Sequence, residues 1–116
     1  MDGALESLTH ALRRFAAERD WDQFHSPKNL ASALAVEAAE LLEHFQWLTE
    51  EQSRNLAEDK RIAVGHELAD VFLYLLQIAD KLQIDLVAAA ERKLEVNAAN
   101  YPAAQARGTS KKYSEL

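Results

Sequence analysis

Apolar residues recur at intervals of three and four along most of the chain, which is the spacing of one face of an α-helix. The first such segment begins near residue 3, and we expect it to end near Asp20. Its apolar face consists of Leu5, Leu8, Leu12 and Phe15. The stretch WDQFHSPKN then breaks the period and contains a proline. It predicts a loop that ends with Ser26 as the N-cap and Pro27 at the first position of the second helix.

The second predicted helix continues to about Leu48. Its apolar face consists of Leu34, Ala38, Leu41, Phe45 and Leu48. Thr49 and Gln52 match a capping box, which predicts a short helical turn in the polar segment that follows. A third long helix is predicted from about Glu58, and its apolar face consists of Leu68, Phe72, Leu75, Ala79 and Leu82.

Asp85 is a suitable N-cap for a fourth long helix, which we expect to stop before Pro102. The inward positions of this helix are Leu86, Ala90 and Leu94. Residues 103–116 lack a periodic apolar face and are rich in basic residues, so they are predicted to form a loop or an arm. Four amphipathic helices without any strand pattern predict an all-α fold resembling a four-helix bundle, with residues 1–116 as a single domain.

Composition narrows the possible functions. The chain has 116 residues, a hydrophobic fraction of 48%, a formal net charge of -6 and no cysteine. The negative charge disfavours duplex nucleic acid and anionic membranes as partners. The lack of cysteine excludes disulfides and thiolate metal sites. No apolar run approaches the ~20 residues of a membrane span, and the acidic start is unlike a signal peptide, so we expect a cytoplasmic protein.

Two pairs of acidic residues repeat at the same spacing on the second and third long helices. Glu37 and Glu40 form the first pair, and Glu67 and Asp70 form the second. Residues three apart lie on one side of a helix, so each helix presents a pair of carboxylates beside its apolar face. If these helices pack in an antiparallel arrangement, the two pairs will face each other.

Partial burial of four carboxylates is unfavourable unless a cation neutralises them. Residues 34–47 contain no Lys or Arg, and Arg61 and Lys81 lie well away from the second pair. The pattern therefore predicts a divalent cation, with Mg²⁺ first and Mn²⁺ as a substitute, because hard ions prefer oxygen ligands. The alternative is that each pair belongs to an ordinary solvated helix face.

Aromatic residues occur near both acidic pairs. On an uninterrupted helix, Trp47 would lie about 10 Å along the axis from Glu40 on nearly the same face. Trp21, Phe24 and His25 in the first loop could supply a second stacking wall, and Tyr74 follows Asp70 by one turn. The alternative is that both tryptophans only cover the core.

The fourth long helix and the tail carry residues that suit an anionic ligand. Lys93, Asn97 and Tyr101 are spaced by four and share a face, where they could hold phosphate and sugar oxygens. The basic residues of the tail are Arg107, Lys111 and Lys112. The alternatives are a solvated helix face and a mobile tail.

These motifs resemble the MazG-like all-α nucleoside triphosphate pyrophosphohydrolases, and among them the dCTP pyrophosphatase branch. The resemblance rests on FAAERDWDQFHSPKNL, EAAELLEHFQW, HELADVFLYLL and KLEVNAANYP, with RG and KKY near the end. One departure is His66, because many relatives have a carboxylate directly before the third motif acid.

The resemblance implies Mg²⁺-dependent hydrolysis of a nucleoside triphosphate between the α and β phosphates, with dCTP or a modified dCTP as the favoured substrate. It also implies homo-oligomers, dimers or dimers of dimers, whose sites are built across subunits. The implied catalytic and metal-binding residues are Glu37, Glu40, Glu67 and Asp70. The implied substrate-binding residues are Trp21, His25, Trp47, Tyr74, Lys93, Asn97 and Tyr101.

Two other classes of helical protein are alternatives to this enzyme family. A carboxylate-bridged di-iron bundle needs Glu-x-x-His, and no motif acid of this chain has a His three residues later. A non-catalytic, oligomeric bundle that binds metal or nucleotide is the remaining alternative. Such a protein would be expected to have lost a motif acid or the aromatic residues, and this chain retains both.

Overall fold

The computed structural model describes residues 3–116, and over that range the backbone is helical and contains no β-strand. The helices are α1 (Gly3–Glu18), α2 (Pro27–Glu43), α3 (Glu50–Arg54), α4 (Glu58–Lys81), α5 (Leu86–Asn100) and α6 (Ala103–Ala106), with 3₁₀ turns at Asp22–Phe24 and Tyr113–Glu115. The chain divides into two compact units, residues 3–84 and residues 85–116. The predicted all-α class is confirmed, whereas the assignment of residues 1–116 to one domain stays a prediction.

α1 ends in a hydrogen-bonded cap that turns the chain back on itself. Asp20 has a left-handed backbone conformation with φ 53°, and the N–H of Trp21 donates to the carbonyl of Ala16 at 2.9 Å. This bond is typical of a Schellman cap, which satisfies carbonyls that a helix end leaves unpaired. α1 therefore ends at Glu18, slightly before the predicted end, and the turn places the Trp21 ring 5.7 Å from that of Phe15.

The start of α2 is as predicted, but its end is not. Ser26 is the N-cap, its hydroxyl accepts a hydrogen bond from the N–H of Asn29 at 3.1 Å, and Pro27 follows at the first helical position. The helix ends at Glu43, so the predicted end at about Leu48 is wrong. Residues 44–47 form turns instead.

After Glu43 the backbone hydrogen bonds tighten, with the N–H of Phe45 donating to the carbonyl of Leu42 at 2.9 Å, and the cap of α3 follows these turns. Thr49 has an extended backbone with ψ 165° and makes the predicted capping box with Gln52. Because an extended residue cannot belong to a helix, this cap lies outside both α2 and the turns of residues 44–47 that follow it. α4 then begins at Glu58 as predicted, and Asp85 caps α5 by accepting a hydrogen bond from the N–H of Ala88 at 3.1 Å.

α4 is the central helix of residues 3–84, and it packs against both α2 and α1. The buried apolar side chains of this unit are Ala16, Leu30, Val64, Leu76 and Ala79. Thr9 is also buried, and its hydroxyl donates to the carbonyl of Leu5 at 2.9 Å. The core is therefore small and lies along α4.

Most of the apolar face predicted for α4 is not buried within the described chain. Leu68, Phe72, Leu75 and Leu82 are 37–52% exposed, and only Ala79 of the predicted set is buried. α4 contacts α1 and α2 over part of its circumference, while its apolar residues extend farther round the helix. Leu68, Phe72, Leu75 and Leu82 are called the outer apolar face of α4 below. Similarly exposed are Leu8, Phe15, Ala38, Ala90 and Leu94.

By length and composition alone, α4 could also cross a membrane, and only 17% of its most apolar window is buried. Two acidic residues, Glu67 and Asp70, lie near its middle. A charged side chain at the centre of a membrane helix costs on the order of 3 kcal/mol. We therefore treat α4 as the helix on which α1 and α2 pack.

Two ion pairs join α4 to the segments before α2. Arg13 of α1 makes a bidentate contact with Asp80, with Nε to Oδ2 at 2.9 Å and Nη2 to Oδ1 at 2.5 Å. The guanidinium, by hydrogen bonding and by charge, lowers the pKa of the Asp80 carboxyl. Lys81 makes the second pair with Asp22 in the first 3₁₀ turn. The first pair joins α1 to α4, and the second joins the loop of residues 21–25 to α4.

Residues 103–116, predicted as a basic loop or arm, contain α6 and the second 3₁₀ turn. The ring of Tyr113 lies 6.0 Å from that of Tyr101 in an edge-to-face arrangement. The tail thus folds back on the end of α5 within the unit of residues 85–116.

Candidate metal and nucleotide site

The two acidic pairs face each other where α2 packs on α4. Glu37, Glu67 and Asp70 each place a carboxylate oxygen within 4.8 Å of the others. Glu40 belongs to the same cluster, because its carboxylate interacts with those of Glu37 and Glu67. These four residues are called the acidic cluster. Glu40, the later acid on α2, interacts with Glu67, the earlier acid on α4. This is the antiparallel pairing expected from the sequence.

Carboxylates this close to one another cannot all stay ionised without a compensating cation. Hydrogen bonding with Glu40 and with Glu37, followed by desolvation, raises the pKa of Glu67 to about 8. The metal-free protein therefore keeps a proton on Glu67 near neutral pH. A hydrogen bond from Glu67 lowers the pKa of Glu37, but burial and the nearby Glu40 and Asp70 carboxylates outweigh it, so the pKa of Glu37 is raised overall.

The acidic cluster has the chemistry of a site for a hard divalent cation. When all four groups are ionised, Oε2 of Glu37 and Oε1 of Glu67 are buried without a hydrogen-bond donor among residues 3–116. Such atoms are unfavourable unless a cation or a donor contacts them. Oxygens on opposite sides of Mg²⁺ lie about 4 Å apart, and the oxygens of Glu37, Glu67 and Asp70 all lie within 4.8 Å of one another. The cluster can therefore hold a divalent metal ion.

A cavity of about 420 Å³ opens on the side of the cluster formed by Glu37 and Asp70. Its ring-bearing walls are Phe15, Trp21, His25 and Tyr74. Aliphatic side chains complete it, among them Leu8, Leu12 and Leu73. We call it the aromatic cavity. A flat, partly polar group such as a nucleobase fits walls of this kind.

The rings of the aromatic cavity are held by neighbouring groups. Trp21 makes edge contacts with Phe15 at 5.7 Å and with His25 at 6.4 Å. The guanidinium of Arg19 lies over the Phe15 ring, 3.6 Å from its centre. Burial first, and then the charges of Glu37 and Asp70, raise the pKa of the Tyr74 hydroxyl. Tyr74 therefore connects the aromatic cavity to the acidic cluster and stays protonated there.

A second cavity, of about 430 Å³ and more open, lies on the other side of the cluster. It is lined by Glu40, Glu43, His44, Lys60 and Glu67. We call it the polar cavity. The acidic cluster thus separates a cavity walled by rings from a cavity walled by charged groups.

The structure brings together only part of the predicted substrate-binding set. Trp21, His25 and Tyr74 line the aromatic cavity beside the cluster. Trp47 is 88% exposed and lines neither cavity. The placement of Trp47 on a straight extension of α2 is wrong, because α2 ends at Glu43 and the ring leaves the helix direction.

The predicted ligand contacts on α5 belong to the unit of residues 85–116. Lys93 and Asn97 are exposed on the helix, and Tyr101 is its half-buried C-cap residue. Tyr101 has φ -124° and ψ 68°, so it lies just outside the regular helix. Their role in binding substrate stays a prediction.

Several residues around the cluster were not identified from the sequence. Leu8 and Phe15 were assigned to a core face, but they line the aromatic cavity. Lys60 lines the polar cavity together with Glu67. The sequence signal for this placement is their heptad spacing, because residues seven apart lie on nearly the same side of a helix. His66 and Gly65 are exposed and line neither cavity.

Comparison with known proteins places these features in a family. The MazG-like family model matches residues 33–116, a range that includes the whole acidic cluster. Human dCTP pyrophosphatase 1 is 43% identical over 114 residues, which cover 97% of this chain and 67% of that protein. The mouse dCTP pyrophosphatase 1 is 41% identical over the same shares.

A solved structure shows the same fold. A pyrophosphatase from Archaeoglobus fulgidus DSM 4304 superposes with a TM-score of 0.82 at 39% sequence identity. The match covers 88% of this chain and 95% of that one. The similarity therefore extends over most of the described helices.

The raised pKa of Glu67 predicts that the metal-free protein loses stability as the pH rises. Below the ordinary pKa of 4.5 the carboxyl is protonated in both states, whereas between 4.5 and about 8 only the folded state holds the proton. The folded state then binds more protons than the unfolded state, so the free energy of unfolding falls over this range. With a chelator present, the thermal midpoint should drop between pH 6 and pH 8.5.

Glu67→Gln should flatten this pH dependence and raise the midpoint at pH 8.5, because the amide carries no charge. Glu91→Gln, on the exposed side of α5, is the control and should keep the wild-type slope. A wild-type midpoint independent of pH, or an unchanged slope in Glu67→Gln, would contradict the assignment.

Proposed function

Since this chain belongs to the MazG-like family and is a nucleoside triphosphate pyrophosphohydrolase, we propose that it hydrolyses dCTP or a modified dCTP with the help of Mg²⁺. The products are the nucleoside monophosphate and pyrophosphate. The observation that carries this proposal is the acidic cluster directly beside the aromatic cavity. The names of the 41–43% identical relatives support the choice of dCTP.

In the proposed reaction a water molecule adds to the α phosphorus and releases a proton to the solvent. The bond from the α phosphorus to the oxygen bridging to the β phosphorus breaks, and its electron pair leaves with that oxygen as pyrophosphate. Glu37, Glu40, Glu67 and Asp70 would hold the metal ion in the proposed site. When bound, a divalent ion supplies positive charge to the phosphate oxygens and activates water. The carboxylates fix where that charge lies relative to the aromatic cavity.

The aromatic cavity is the proposed site of the base. Trp21 and Tyr74 supply ring faces and edges, and base–aromatic stacking contributes about 1–3 kcal/mol per base. His25 and the Tyr74 hydroxyl add hydrogen-bonding groups that can distinguish one base from another. Lys93, Asn97 and Tyr101 are the proposed contacts to phosphate and sugar, by resemblance to the family pattern.

We further propose that the protein is a homo-oligomer, either a dimer or a dimer of dimers. Support comes from the outer apolar face of α4, whose four side chains are 37–52% exposed in a single chain, and from Trp47, which is 88% exposed. Burying such a face removes apolar surface from water at about 25 cal/mol per Å². The proposed location of the protein is the cytoplasm, and the proposed partners exclude duplex nucleic acid and membranes.

The reaction is tested with purified protein, Mg²⁺ and a panel of canonical and modified nucleoside triphosphates, with products separated by chromatography. We expect dCTP or a modified dCTP to give monophosphate and pyrophosphate. Glu40→Gln and Asp70→Asn should each lower kcat at least a hundredfold without loss of helical content, because both remove a proposed metal ligand. Glu18→Gln, on exposed α1, should keep wild-type activity.

Release of orthophosphate and a nucleoside diphosphate, or no turnover of any member of the panel, would reject the proposed reaction. Full activity of Glu40→Gln or Asp70→Asn would reject the metal assignment and leave the reaction intact.

Loss of stacking in the aromatic cavity should weaken binding of the substrate more than it slows the chemical step. For Trp21→Ala we expect a rise in KM of roughly tenfold, with a smaller change in kcat and an unchanged dependence on Mg²⁺. Trp21→Phe is the control that keeps a ring. An unchanged KM and base preference in Trp21→Ala would contradict the assignment of the base site.

Trp47→Ala tests whether Trp47 contributes to base binding in addition to Trp21. A rise in KM there would support a second base wall at Trp47, whereas an unchanged KM would restrict the wall to the rings of the aromatic cavity.

A charge on the outer apolar face of α4 should break the oligomer. We expect the wild-type protein to sediment as a dimer or tetramer and Phe72→Glu to sediment as a smaller species with its helical content retained. Phe72→Leu keeps an apolar side chain and is the control. A monomeric wild-type protein, or a Phe72→Glu variant of wild-type size, would contradict the proposal.

A further inference from the structure

Three side chains on one side of α4 connect the aromatic cavity, the acidic cluster and the polar cavity. Lys60, Glu67 and Tyr74 are spaced by seven residues, so each is about 10 Å along the helix from the next and turned by only about 20°. Tyr74 lines the aromatic cavity, Glu67 belongs to the acidic cluster, and Lys60 lines the polar cavity. A substrate lying along this line would have its base at one end and its terminal phosphates at the other.

Lys60 is a cation among acidic groups. The other side chains of the polar cavity are Glu40, Glu43, His44 and Glu67. Among residues 3–116 no carboxylate lies within ion-pairing distance of Lys60, whereas the adjacent Arg61 pairs with Glu58 at 3.3 Å. Lys60 is also half-buried. Its ammonium is therefore held beside the acidic cluster without being neutralised by a direct contact.

Resting on the function proposed above, we infer that Lys60 binds the β and γ phosphates of the substrate, which become the leaving pyrophosphate. A nucleoside triphosphate whose base occupies the aromatic cavity and whose α phosphate lies at the acidic cluster can extend its remaining phosphates into the polar cavity. Lysine binds phosphate as a point charge. A cation at this end meets the charge that develops on the bridging oxygen when the bond to the α phosphorus breaks.

The competing explanation is that Lys60 only offsets the charges of Glu40, Glu43 and Glu67. The two roles predict different ligand dependence. A counter-ion of the carboxylates opposes the binding of the metal, so its removal would tighten Mg²⁺ binding and leave the affinity for pyrophosphate unaltered. A residue that binds the leaving group affects pyrophosphate and triphosphate, but not the nucleoside monophosphate.

The test compares Lys60→Met with Arg61→Met in the full-length protein. Binding of inorganic pyrophosphate and of dCMP is measured by calorimetry with saturating Mg²⁺, and binding of Mg²⁺ alone is measured separately. We expect Lys60→Met to weaken pyrophosphate binding roughly ten- to a hundredfold, the range for loss of a charge-assisted hydrogen bond. Its affinity for dCMP should stay within about twofold of wild type, and Lys60→Arg should restore part of the pyrophosphate affinity. Arg61→Met should resemble wild type.

Unchanged pyrophosphate binding in Lys60→Met, an equal loss of dCMP and pyrophosphate binding, or tighter Mg²⁺ binding alone would each overturn the inference. Pyrophosphate binding does not require turnover, so the inference fails or stands separately from the proposed reaction. If the wild-type protein hydrolyses no triphosphate but Lys60→Met still loses pyrophosphate affinity, the proposed reaction is rejected and the phosphate site is kept. If the wild-type protein turns over normally but Lys60→Met binds pyrophosphate as well as the wild type, the phosphate site is rejected and the reaction is kept.

Discussion

The mutual repulsion of four carboxylates across the contact between α2 and α4 is the constraint around which this molecule is organised. Packing of apolar side chains such as Leu30 and Leu76 brings the helices together, and the same contact forces Glu37 and Glu67 into close approach. Without a cation, the conflict is relieved only by a proton, which is why the pKa of Glu67 rises to about 8. Repulsion among the carboxylates therefore destabilises the metal-free protein, and a bound divalent ion can relieve it.

The segments that surround this contact determine what can lie beside it. The cap at Asp20 turns the chain so that Trp21 returns beside Phe15, and the ion pair between Lys81 and Asp22 holds the loop to α4. One side of the acidic cluster therefore has ring-bearing walls. The other side is formed by the end of α2 and the start of α4, where Lys60 is located. The two cavities therefore differ in character, with the acidic cluster between ring-bearing walls on one side and charged walls on the other.

The same helix carries the site and a large exposed apolar surface. The carboxylates and Tyr74 occupy one side of α4, while the outer apolar face from Leu68 to Leu82 lies elsewhere on its circumference. A helix whose apolar residues exceed what its own compact unit, residues 3–84, covers is typical of a protein that buries this surface by further association. Association through α4 would couple the geometry of the site to the oligomeric state, because movement of this helix shifts Glu67 and Asp70 directly.

The sequence by itself determined the helices, most of their caps and the identity of the acidic cluster. These features depend on local spacing: Ser26, Thr49 and Asp85 bond to backbone groups three residues away, and an acidic pair shares one helix face wherever that helix packs. Only the tertiary structure decided which apolar side chains are buried and that Lys60 lies beside the cluster. Both depend on which neighbours pack against a helix, and the periodicity of a single helix does not contain that information.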